Sequence, residues 1–121
     1  MSNTSKISNL LAGIEYEQIP EKVKEQVKRL TIHTVGVSIA SAPIRTSKNA
    51  ILLAEENGGK EEATVWGGSG KKIPAENAAF ANATQADVLD WEDCSWTGHP
   101  SAGVIAAAFS GSSCCNACHS T

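Results

Sequence analysis

The sequence predicts a mainly α-helical domain, and three features carry that prediction. Between residues 20 and 40, Val23, Val27, Leu30, Thr34, Val37 and Ile39 recur at helical spacing, while Glu21, Lys22, Lys24, Glu25, Lys28 and Arg29 cover the wet side. Two alanine-rich stretches, Pro74 to Val88 and Pro100 to Phe109, carry side chains small enough to let neighbouring helices approach closely. One short β-branched run, E-E-A-T-V-W-G around residues 62–66, reads as a strand or extended segment.

Each element can be justified in turn. Ile7, Leu10, Leu11 and Ile14 fit one face of a first helix over residues 5–14. Pro20 suits the first turn of a second helix that runs to about Ala40. Its later half, T-I-H-T-V-G-V-S-I-A-S-A, is nearly free of charge and predicts burial on most sides, with His33 as a core histidine satisfied by a hydrogen bond. Pro43 then breaks the chain, and Ser47 is the candidate cap of a third helix, Lys48 to Asn57, stopped by Gly58 and Gly59. E-E-A-T-V-W-G should lie extended near the surface. G-G-S-G-K-K at 67–72 suggests a phosphate loop but fails its spacing, because Val65 and Lys72 stand where Gly and Ser or Thr are needed. Pro74 and Pro100 open the fourth and fifth helices.

Composition narrows the function. With a net charge of −3 and 121 residues, the chain is an ordinary single-domain length with no basic patch for nucleic acid. No apolar run approaches the length of a membrane span, and the N-terminus lacks the apolar core of a signal peptide, so a cytoplasmic protein without a membrane or nucleic-acid partner is expected.

The chemistry concentrates between the last two helices. N-A-T-Q-A-D-V-L-D-W-E-D-C-S-W-T-G-H-P-S holds Asp87, Asp90, Glu92, Asp93, Cys94 and His99 in one turn-rich connection. Loops held by rigid scaffolds are where such groups do chemistry. An acidic, solvated loop with a surface histidine is the competing reading.

L-D-W-E-D-C-S-W-T-G-H-P-S-A-G resembles the L-D-[FYW]-[DE]-D-T…H-P-S segment of the MmgE/PrpD family, which includes 2-methylcitrate dehydratase, cis-aconitate decarboxylase and iminodisuccinate epimerase. N-G-G-K-E-E-A-T-V-W-G, K-I-P-A-E-N-A-A-F-A-N-A and Y-E-Q-I-P-E-K-V extend the resemblance over residues 8–109. It implies the N-terminal portion of a longer all-helical domain, a homodimer in the full-length form, and a lyase or isomerase acting on di- or tricarboxylates. The implied reaction removes a proton next to a carboxylate with no metal or organic cofactor. Carried over by position, His99, Asp90 and Cys94 become the candidate catalytic residues, and Asp93 and Ser101 candidate substrate-binding residues. Imidazole suits proton transfer near neutral pH, and Asp90 can orient the ring or bind a substrate hydroxyl. Cys94 replaces the family's usual threonine with a weaker hydrogen-bond donor. His33 stands where the family commonly has Asp, Asp87 where it commonly has His, and Glu92 at the third place of the D-F-D-D run.

After Phe109 the apolar pattern gives way to S-G-S-S-C-C-N-A-C-H-S-T. Residues 1–109 therefore read as a partial helical domain. Residues 110–121 read as a Ser/Cys-rich tail, disordered or the product of a shifted frame or truncation. Within it, Cys115, Cys118 and His119 match the C-x-x-C-H haem pattern, and with Cys114 they offer zinc ligands; a small metal- or haem-binding protein is the remote alternative. A nearer alternative is a non-catalytic helical fragment that associates with itself or with a missing part.

Overall fold

Helices take most of the chain, as the periodicity predicts. The computed structural model describes residues 2–95 and 98–119, with side chains as far as Ser112. The helices are α1 (Asn3–Gly13), α2 (Glu21–Ser41), α3 (Arg45–Glu56), α4 (Ala75–Asp87) and α5 (Pro100–His119), with a 3-10 turn at Tyr16–Gln18. Pro20 and Pro74 sit one residue ahead of α2 and α4, at their N-caps, whereas Pro100 is the first residue of α5. Two short strands, β1 (Ala63–Thr64) and β2 (Lys72–Ile73), pair antiparallel with Ala63 opposite Ile73.

α4 is the central element, packed against α2, α3 and α5. Its buried residues Ala78, Ala81, Asn82, Gln85 and Ala86 fall on one helical face. Ala102, Ile105 and Ala106 of α5 are buried too, so alanine on alanine forms this contact. A second cluster joins Ala54, Val65, Ile73 and Ala78 under the β-turn. The extended run is thus less superficial than expected: Ala63 and Val65 point into the core while Thr64 between them is exposed. Gly67, at φ +72°, closes that turn where a Cβ would lie 2.8 Å from Ala42 Cβ.

Polar bonds lock α2, α3 and α4 together. The Ser41 hydroxyl lies 2.6 Å from the Gln85 carbonyl and 2.9 Å from that of Ser38, its one proton shared between them, while Ser47 donates to it at 3.2 Å. Ser47 is therefore not the cap of α3. The helix starts earlier, with Ile44 at its N-cap, and the Ser47 side chain is spent on α2. Asn82 accepts from the Trp66 amide at 2.8 Å and donates to the Thr64 carbonyl at 3.2 Å. An Asn82→Ala change orphans both backbone groups and should cost about 2 kcal/mol, read as a lower urea midpoint at unchanged slope.

Burial of α2 falls short of the expectation. Only Thr34, Val37, Ser38 and Ser41 are buried, while Ile32 and Ile39 lie in solvent, because α4 and α5 cover a single face. α1 buries nothing, leaving Ile7, Leu10, Leu11 and Ile14 exposed. Nor does α5 stop near Phe109, as the composition suggested; its backbone stays helical to His119.

Candidate active site between α4 and α5

The site is built by the connection from α4 to α5. Beyond Asp87 the chain turns tightly, with the Asp90 amide donating to the Asp87 carbonyl at 3.1 Å and Asp90 itself at φ +54°. Aspartate is among the few residues that occupy this left-handed region readily. Further on, Ser95 and Gly98 exchange backbone hydrogen bonds of 2.9 and 3.0 Å that narrow the loop before α5. The Asp93 carboxylate then accepts from the Ser101 amide at 3.2 Å, satisfying one of the free donors of the first turn of α5. Losing that cap in Asp93→Ala should lower stability by about 1 kcal/mol, measurable by chemical denaturation.

α2 supplies the other anchor. His33 Nε2 donates to the Trp91 carbonyl at 2.7 Å. The hydrogen bond expected of His33 is present, but the residue is exposed rather than part of the core, because it faces the loop and not α4.

These ties set His99 between two carboxylates of unlike environment. Its Nε2 is 3.0 Å from Asp90 Oδ1, and its Nδ1 is 3.6 Å from Glu92 Oε2. The Asp90 side chain is 84% exposed, whereas that of Glu92 is 0% exposed. A cleft of about 530 Å³ opens beside the ring, lined by Thr46, Thr84 and Asp87 among others, with no lysine or arginine in its lining among the described residues. Asp87, Glu92 and His99 have donor atoms within 4.8 Å of one another, two carboxylates and an imidazole that together could ligate a divalent cation.

The loop residues named from the sequence fall into three groups. Asp90 and His99 meet. Asp93 and Ser101 meet each other, at the start of α5, and Ser101 is buried there. Cys94 is an exposed free thiol outside the Asp90–His99–Glu92 contacts. Sequence reasoning counted Glu92 and Asp87 among the titratable groups of the loop but gave neither a role in the site. Glu92 had only a weak signal, its place between Asp90 and Asp93 in the titratable loop. Asp87 had none, since its place in the cleft depends on how α4 and α5 pack. The thiols of Cys114, Cys115 and Cys118 and the His119 imidazole, which the haem and zinc readings need, lie outside the described residues, as do Trp96 and Thr97.

A histidine between two carboxylates at the edge of a cleft, on a helical scaffold, is an arrangement chemically suited to acid–base work. The profile of the MmgE/PrpD N-terminal domain matches residues 5–120, and the chain belongs to that family. It is similar to human cis-aconitate decarboxylase, at 24% identity over 106 residues, and to the mouse cis-aconitate decarboxylase, at 22% over 106 residues. Each match covers 86% of this chain but 22% of the relative, so the chain spans about a fifth of the length of these enzymes. No solved structure matches the chain.

Proposed function

We propose that this chain is the N-terminal helical part of a cofactor-independent lyase or isomerase that removes a proton next to a carboxylate of a di- or tricarboxylic acid. The observation that carries the reading is the 3.0 Å contact between His99 and Asp90 beside an open cleft. In this reading His99 transfers the proton, and Asp90 steadies the ring or takes up a substrate hydroxyl. Asp93 and Ser101 hold the first turn of α5, and with it His99, in register. Cys94 contributes a weak donor at the rim.

Charge shapes the rest of the proposal. Asp87, Asp90 and Glu92 surround a single imidazole, and a tricarboxylate would be repelled from so acidic a wall. The cations that hold the substrate therefore come from outside this cleft, from a further part of the polypeptide or from the second subunit of a homodimer. No described helix is long and apolar enough to cross a membrane, and we place the enzyme in the cytoplasm.

The test is solvent exchange. An enzyme carrying this domain is incubated in D₂O with a panel of di- and tricarboxylates, among them 2-methylcitrate and cis-aconitate. Deuterium should enter at carbon next to a carboxylate, or the acid should be turned over, in at least one case. An unchanged panel would refute the reading and favour a helical module that only associates.

A further inference from the structure

We infer that Glu92 is the positioning residue that fixes which nitrogen of His99 carries the proton; this rests on the reading of His99 as the proton-transfer group. Both Glu92 carboxylate oxygens and His99 Nδ1 are buried without a hydrogen-bond partner among the described residues, and Oε2 lies 3.6 Å from Nδ1. A buried unpaired carboxylate is costly, and a proton carried on Nδ1 would supply Oε2 with a donor. The 3.6 Å between Nδ1 and Oε2 exceeds a hydrogen bond, but catalytic bonds are commonly long without substrate and tighten when it binds.

The two carboxylates compete for the ring's proton. Asp90 is closer, at 3.0 Å against 3.6 Å, but it stands in water while Glu92 is enclosed. The added distance weakens attraction by about a sixth, whereas removal from water strengthens it several-fold. Asp90 can also turn away into solvent at little cost, an escape closed to Glu92. The neutral ring therefore keeps its proton on Nδ1, towards Glu92, and presents a bare Nε2 on the side of exposed Asp90. Nε2 then takes the substrate's proton. The electron pair of the broken C–H bond stays on the substrate and spreads into its carboxylate, and the ring becomes an imidazolium donating to Glu92 through Nδ1. Asp90, 3.0 Å from the newly protonated Nε2, then steadies the imidazolium from the solvent side.

The experiment uses an enzyme carrying this domain with ¹⁵N-labelled histidine, the His99 signals being assigned by their loss in His99→Gln. In the neutral ring Nδ1 should give the shift of a protonated nitrogen and Nε2 that of a bare one. Glu92→Leu, which removes the carboxylate beside Nδ1, should move the proton to Nε2 and lower kcat about 10-fold with KM little changed, less than the roughly 10²–10⁴-fold of losing the acid or base itself. Glu92→Gln keeps an acceptor and should retain both the tautomer and most of the turnover. A wild-type ring protonated on Nε2 overturns the inference, and needs no variant to fold. So does a Glu92→Leu enzyme with the tautomer and kcat of the parent. If instead Nδ1 is protonated but His99→Ala stays fully active, Glu92 is placed correctly and the proton-transfer reading of His99 is what fails.

Discussion

His99→Ala, made in an enzyme carrying this domain, is expected to lower turnover by about 10²-fold or more, the scale of losing a positioned acid or base. Asp90→Asn should cost a similar factor. The choice of asparagine matters, because residue 90 sits at φ +54° and asparagine, almost alone with aspartate and glycine, tolerates that backbone. Asp90→Ala would mix backbone strain with the lost carboxylate. Stability should change little in Asp90→Asn, since Asp90 is exposed. Full activity in His99→Ala removes that residue from the mechanism. A large loss of stability in Asp90→Asn would instead make Asp90 a structural turn residue.

The isolated 121-residue chain is expected to self-associate or remain partly molten, and to leave tricarboxylates unchanged even with Asp90 and His99 intact. Ile32 is 75% exposed, Leu10 67%, Val104 66% and Leu11 65%, on α1, α2 and α5. Val27, Leu30, Val104 and Ile105 further line an apolar groove between α2 and α5. Large apolar side chains left uncovered on three helices, with an apolar groove beside two of them, favour association. Sedimentation should therefore report a mass that rises with concentration. Replacing Leu10 and Leu11 together by lysine should shift the distribution towards monomer without unfolding the rest, since α1 buries nothing. A compact monomer with cooperative unfolding and no dependence on concentration would defeat this expectation. Turnover by the isolated chain would show that no further part is required for the chemistry.

The sequence by itself determined the helical class and most element positions, because these depend on local signals: apolar residues at helical spacing, prolines at helix starts and paired glycines at the end of α3. It also singled out the loop from Asp87 to His99, through a density of titratable side chains that no packing argument is needed to see. Its errors share a cause. Ser47 read as a cap and the second half of α2 as buried, since local sequence does not say which neighbour a side chain meets. Ser47 was claimed by Ser41, and the exposed face of α2 was left uncovered by α4 and α5. What only the tertiary structure decided is the division of labour among the carboxylates. Asp90, Glu92 and Asp93 lie within four positions and are chemically alike, yet one is solvated against Nε2, one is enclosed against Nδ1, and one caps α5. Burial and a partner's position separate them, and both arise only when α4 and α5 close around the loop, setting the dielectric each carboxylate feels.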